Sequence, residues 1–297
     1  MNKILLILFL IIISAEGFSQ FNRELLSLNY SYAPMGNDDY DFSKIEMNIS
    51  MPFKLKNGFL RNSINLNYYN MNFRYGLDFN TKDLEKVYGI NYDLMYTYHL
   101  SSTWSVALRG GISLTSNFTN RVNGEDIQFT GGVVTEKNGG TLDKPFKFIF
   151  GLGYATITGE PRIIPLVSYS KKVNDKFSYE IGFPRTYASY NINERSTLKS
   201  MLWMNGFYSN LSDPIDIRNV YNAEKSSFSA ISLGLDYSYR MDENWVIVLK
   251  GGYSFNSKYD LLDNDNNMVY SFDSSSRPYI STGIKFNLKR KFNNRIK

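Results

Sequence analysis

Few residues in this chain are equipped for chemistry. His99 is its only histidine and there is no cysteine, so a catalytic centre that uses an imidazole as its base would have to be built on this one residue. No nucleophile stands in a recognisable motif beside it. Asp263-Asn-Asp265-Asn-Asn267 opens like a calcium loop, with oxygen ligands at alternate positions. Met268 and Ser274 then occupy the sixth and twelfth positions, where glycine and glutamate belong, and a solvated loop is the simpler reading. The net charge of +5 is scattered and not striped along one element, and nothing resembles a phosphate loop or a zinc cluster. No catalytic residue, cofactor, metal or nucleic-acid partner is therefore expected. What remains are opposite charges at cross-strand spacing. Asp93 falls opposite or diagonal to Arg109 across a short turn, and Asp236 falls within reach of Lys250. Facing an interior, such pairs brace a wall or tune the charge of an aqueous lumen. In a dry core, charges of this kind are costly unless paired.

Both pairs are carried by one stretch that occurs twice. Residues 96–114 return as residues 237–255, with Trp104 matched by Trp245 and Arg109-Gly110-Gly111 by Lys250-Gly251-Gly252. Each copy has large apolar residues at every second position, a short polar break, then alternation resumed from the tryptophan, which is the pattern of a β-hairpin. One face carries Tyr96, Tyr98, Trp104, Val106, Leu108, Ile112 and Leu114; the other carries Thr97, His99, Ser105, Arg109, Gly111 and Ser113. Alternation alone fits a soluble sandwich as well as a barrel wall in lipid. Tyr96, Tyr98, Trp104, Phe177, Tyr237, Tyr239 and Trp245 gather next to the breaks, as an interfacial aromatic girdle would. His99 precedes a break on the polar face, where the related positions hold Arg240 and Lys172, so a cationic rim residue describes it better than a catalytic base.

The remaining chain extends the pattern. Lys3, the apolar run of residues 4–13 and the small residues Ala15 and Gly17 make residues 1–20 a secretory signal peptide, too short to span a bilayer. Residues 21–297 then form a single domain of strands and polar connections, without a helix or a composition shift. An aromatic content of 16% suits such a chain. Short turns alternate with long loops, among them one through Asp213-Pro214 and an Asp/Asn/Ser-rich one from Asn256 to Arg277. The stretch from 116 to Pro145 is ambiguous and could be one long loop; without a strand pair around residues 126 and 187 there are twelve strands. Taking residues 126–136 as a strand that turns at Lys137-Asn138-Gly139-Gly140 gives six short turns and fourteen strands. An exported chain without disulfides or transmembrane helices can occupy a membrane only as a closed barrel.

The C-terminal strand decides between lipid and water. Ser281, Gly283, Phe286 and Leu288 have the spacing of the β-signal by which the barrel-assembly machinery recognises last strands, although Lys289-Arg290-Lys291 extends beyond it. With the Tyr30-Ser-Tyr-Ala-Pro-Met-Gly36 segment, Gly151-Leu-Gly153-Tyr154, the 169–177 hairpin and Gly182-Phe-Pro184, the mature chain resembles a family of uncharacterised outer-membrane β-barrels from Bacteroidota. That resemblance implies an up-and-down transmembrane barrel in the Gram-negative outer membrane, with membrane lipid and the assembly machinery as partners. It implies no substrate. The expected function is a passive channel or transporter for small solutes, or for hydrophobic molecules taken in through a side opening, as in fatty-acid transporters of similar size. A structural or surface-interaction barrel with a filled lumen is the alternative. A lipid- or peptide-hydrolysing barrel enzyme is disfavoured, because the only histidine sits at the inner rim.

Overall fold

The computed structural model describes residues 24–36, 39–74, 77–274 and 276–288. The expected signal peptide and the basic tail lie outside these residues. The alternating segments form β1 (Glu24–Ala33), β2 (Tyr40–Leu55), β3 (Gly58–Phe73), β4 (Lys86–His99), β5 (Trp104–Ser116), β6 (Ile127–Gly140), β7 (Pro145–Ala155), β8 (Arg162–Lys172), β9 (Phe177–Phe183), β10 (Arg185–Asn191), β11 (Ser196–Ile217), β12 (Tyr221–Arg240), β13 (Trp245–Leu262), β14 (Met268–Phe272) and β15 (Arg277–Asn287). Each strand from β1 to β13 pairs antiparallel with the next, and β15 closes the sheet between β13 and β1. The result is a closed barrel of fourteen strands. β14 lies outside that count, folded back on the end of β13.

The register explains the alternation. Between β2 and β3, Ile45↔Tyr68, Met47↔Leu66 and Ile49↔Ile64 face outward, while Glu46↔Asn67, Asn48↔Asn65 and Ser50↔Ser63 face inward. Apolar residues therefore stand exposed on the outer surface, among them Leu108, Leu152, Ile181 and Ile280. The two hairpins of the repeat turn in the same way, because a side-chain oxygen takes over two backbone donors. Asp242 accepts from the N–H groups of Asn244 and Trp245 at 2.7 and 2.8 Å, and in the first copy Ser101 Oγ accepts from those of Thr103 and Trp104 at 3.2 and 3.0 Å; Asn174 does the same for Lys176 and Phe177 in the β8–β9 hairpin. The bonds from Trp245 and then Asn244 hold the Asp242 carboxyl below its ordinary range.

Three connections differ from the sequence reading. Residues 137–140 continue β6 as far as Gly140↔Pro145, and the turn falls at 141–144. Gly139 keeps the strand flat there, since a Cβ would meet the Phe146 ring at 2.5 Å. Asp213-Pro214 does not open a loop but lies in β11, where the register with β12 slips between Asn210 and Ile215. The expected loop from Asn256 to Arg277 is mostly the end of β13 and the hairpin with β14.

Strand length varies sharply around the wall. β9 and β10 have 7 residues each, whereas β11 has 22 and β12 has 20. Pairing of β8 with β9 stops at Val167↔Phe183, and pairing of β10 with β11 stops at Arg185↔Trp203. Beyond one further bond, Met204 N–H to Pro184 O at 3.2 Å, the last part of β11 leaves this side of the wall. It crosses to β5, meeting it at Asn210↔Ser116, and Asn210 Nδ2 donates to Asp126 while Gln128 Nε2 donates to Tyr208 O, each at 2.9 Å. The barrel is thus drawn in at its long-loop end. Tyr40, Met71, Phe207, Phe228, Tyr259 and Phe272 fill the narrowed tube, with the Phe42 and Phe228 rings stacked at 5.1 Å.

Candidate functional site

Toward the short turns, below this aromatic packing, the inward positions become polar. Asn48, Asn65 and Asn91 lie side by side across β2, β3 and β4, with Asn91 Nδ2 donating to Asn65 Oδ1 at 3.1 Å. Beside them Arg109 reaches Asp93 Oδ1 through both Nε and Nη2, each at 2.9 Å. Gly111 opposite Asp93 makes this possible, because a Cβ there would stand 2.3 Å from the carboxylate. Asp236 and Lys250 are direct register partners at 3.8 Å. The lumen holds further pairs: Glu180–Arg185 at 3.1 Å, Glu136–Lys147 at 3.0 Å, Glu24–Lys285 at 2.9 Å, and Lys44 in contact with Glu46.

A cavity of about 640 Å³ lies against β2–β10. Its lining joins Asn48, Asn65 and Asn91 and the Asp93–Arg109 pair to an apolar wall of Val134, Ile149, Ile164 and Leu166. It ends at Phe183, Pro184 and Arg185, the corner of the β9–β10 hairpin. Val167 and Phe183 border it too, although they belong to the outward-facing register that includes Phe150. Both stand at the notch above the short hairpin, where the β8–β9 pairing ends, and the nearby 156–159 connection lies against β12 through Ser227 Oγ donating to Gly159 O at 2.7 Å. At the notch β8 residues 162–166 have no strand partner on the β9 side. Thr186 Oγ1 bonds both the N–H and the C=O of Gly182 at 3.0 Å, which closes the corner.

The other residues singled out by sequence lie elsewhere. His99 is exposed at the turn-end rim, and its Nδ1 contacts the hydroxyl of buried Ser105 at 2.9 Å. That partner was not legible in a motif. No side-chain bond to the other ring nitrogen is found among the described residues, so the orienting third group of a nucleophile–base pair is missing there. Asp263 accepts from both the backbone and the side chain of Asn267, closing the β13–β14 turn on itself. The Asn267 side chain, then its backbone N–H, keeps this carboxyl below its usual range. Among the described residues no three acidic, histidine or cysteine side chains cluster as metal ligands. Tyr96, Tyr98, Tyr237 and Tyr239 point outward near the short turns, as do Trp104, Phe177 and Trp245. In β15, Ser281 bonds Ser31 inside the barrel at 3.0 Å, Gly283 faces the same side, and Phe286 packs on Trp245 outside at 4.9 Å. Leu288 follows the strand end. Glu180 and Arg185 were not picked out from the sequence. Alternation places both inward, but the sequence does not show that their hairpin stops short.

The family described as a domain of unknown function, DUF6268, matches residues 35–287. The chain belongs to this family. The DUF6268 match spans β2 to β15, the whole wall except β1. No curated protein matches the chain in sequence. Solved structures similar to it include a KdgM porin, with 11% identity over 88% of this chain and 99% of that one and a TM-score of 0.37. LpxR from Salmonella typhimurium is similar at 9% identity over 88% and 100%, with a TM-score of 0.40. A deletion mutant of TodX, described as a monoaromatic hydrocarbon channel, is similar at 8% identity over 89% of each chain, with a TM-score of 0.44. At these scores the likeness carries no functional information.

Proposed function

We propose that this chain is an outer-membrane barrel, exported by its signal peptide, that passively passes small apolar or amphipathic molecules through the notch in its wall. The outward face is apolar and exposed along the strands, and aromatic residues ring its short-turn end, as suits a wall in lipid. On this reading the short turns face the periplasm and the long loops face outside. Residues 281–288 serve as the signal for the assembly machinery, and the resemblance to Bacteroidota barrels agrees with that setting.

The observation that carries the reading is the pairing of a filled axial mouth with a cavity bordered by Val167 and Phe183, residues of the outward-facing register at the notch. Its depth matters. The 7 residues of β9 climb about 23 Å along the strand at roughly 3.3 Å each. At a tilt of about 40° that is some 18 Å of height, less than the roughly 25 Å apolar band of such barrels. The lip of the notch then sits in the outer leaflet, facing lipid. Unpaired strand edges there cost several kcal/mol per group in hydrocarbon, so the notch holds water or a passing molecule and not lipid tails alone.

The test is uptake of N-phenylnaphthylamine into proteoliposomes whose outer leaflet carries lipopolysaccharide. Faster uptake than in protein-free vesicles is expected, with little ionic conductance in planar bilayers. A second reading, an aqueous channel for polar solutes, draws support from the ion pairs lining the lower lumen. Steady ohmic steps without accelerated probe uptake would favour it, and would require the aromatic tube to open.

A further inference from the structure

We infer that the molecules admitted at the notch carry an acid group, received in the lumen by Arg109 and Arg185. This rests on the notch being the point of admission. Four of the lumen ion pairs share one asymmetry: the carboxylate lies against the wall and the base projects into the space. Asp93 is 18% exposed where Arg109 is 54%, and Glu180 is 13% exposed where Arg185 is 59%. Glu136–Lys147 and Asp236–Lys250 repeat it, whereas Lys44–Glu46 and Lys285–Glu24 do not. Arg61 and Lys199 also occupy inward positions, with no carboxylate in salt-bridge range among the described residues. The pairs are neutral in sum, yet a solute meets guanidinium and ammonium tips first.

The two arginines have hydrogen-bonding capacity left. A guanidinium has five N–H donors. Arg109 directs Nε and Nη2 at one oxygen of Asp93, and Arg185 directs Nε at Glu180 Oε1. The remaining donors suit a second carboxylate, which a guanidinium binds through two parallel bonds. Both arginines border the 640 Å³ cavity whose other wall is Val134, Ile149, Ile164 and Leu166, and Arg185 directly follows the lip residue Pro184. Apolar wall and cationic tips in one space match an alkyl or aryl carboxylate of modest size. A cationic amphiphile of equal length is repelled, and an alcohol gains no charge-assisted bond.

Trp203 provides the readout, since it is the register partner of Arg185 on the inner face. A W104F/W245F variant, which leaves it as the only tryptophan, is placed in lipid nanodiscs and titrated with decanoate, decanol and decyltrimethylammonium. A parallel W203F sample corrects for partition into lipid. Decanoate is expected to shift Trp203 emission at about a tenfold lower concentration than decanol, a difference of about 1.4 kcal/mol. R109Q/R185Q should abolish that advantage, and R109K/R185K should retain part of it. Altered migration of unboiled protein checks that each variant folds. If decanol or the quaternary amine acts at the same concentration as decanoate, the acid preference is wrong while the notch stands. If none of the three reaches Trp203, both fail.

Discussion

Raising the β9–β10 hairpin to the height of its neighbours should close the route. β8 residues 162–166 face the notch without a strand partner on the β9 side, and β11 leaves β10 after Trp203. Five alternating residues added to each arm, with Asn-Gly in place of Pro184 at the turn, lengthen the hairpin by about 17 Å. At a tilt of about 40° the lip rises from some 18 Å to about 31 Å, above the apolar band of about 25 Å. In an antiparallel edge every second residue presents both its N–H and its C=O, and Pro165 has no N–H, so the five residues expose about three to six groups. Ladder bonds at a net of about 1 kcal/mol each would replace them, and the variant should resist heat at least as well as the parent. Probe uptake should fall about tenfold, equivalent to a barrier raised by about 1.4 kcal/mol, with hydrogen exchange slowed at residues 162–166. A variant that gains that protection and still takes up the probe at the parent rate would refute a lateral route.

Other outcomes follow from the same geometry. Phe228→Ala removes a ring stacked on Phe42 in the closed tube, should cost about 3–5 kcal/mol, and should bring conductance steps to a barrel otherwise nearly silent in planar bilayers. Asp242→Asn bears on acid stability. Because folding lowers this carboxyl's pKa, its contribution is present above the ordinary carboxylate range and is lost as pH falls through the folded value. The parent should therefore lose more heat resistance than D242N below about pH 4, read from the temperature at which unboiled protein loses its folded mobility. His99→Ala should leave probe uptake intact and cost about 1 kcal/mol, from the buried Ser105 hydroxyl it uncovers. Loss of uptake in a folded H99A barrel would instead make the imidazole functional.

How much of this was readable in the sequence depended on the range of the interaction. Alternation is local, so it placed Asp93 and Arg109 on one face and the tyrosines on the other, and the short polar breaks marked all six turns to within a few residues. The β6–β7 turn was misplaced because Gly139-Gly140 reads as a turn when taken alone. Its role as room for Phe146 depends on a residue across the strand pair. The same limit hid Ser105 behind His99, a contact made only once β4 and β5 are in register. Least legible was height. Pro214 reads as a breaker, yet β11 continues through it because a register slip absorbs the missing donor, and no local pattern distinguishes a strand of 7 residues that spans the wall from one that stops halfway.

That difference in length links the two main features of the lumen. β10 accompanies β11 only as far as Trp203, so the rest of β11 reaches the long-loop end without its neighbour on that side. A free strand edge is unfavourable, and β11 relieves it by leaning across the barrel to β5, where Asn117 Oδ1 also accepts the N–H of Ser212 at 2.9 Å. Crossing narrows the tube enough for Phe207 and Phe228 to meet Phe42 and Tyr69, which seals the axis. The same departure leaves β8 unpaired above the hairpin, which opens the side. A single short hairpin thus accounts for both the closed mouth and the notch. It follows that the lengthened hairpin should do more than block the notch: by giving β11 a partner along its own side of the wall, it should weaken the seam with β5 and loosen the aromatic tube. Conductance rising in the variant whose lateral uptake has fallen would be the signature of that exchange, and the two changes should appear together.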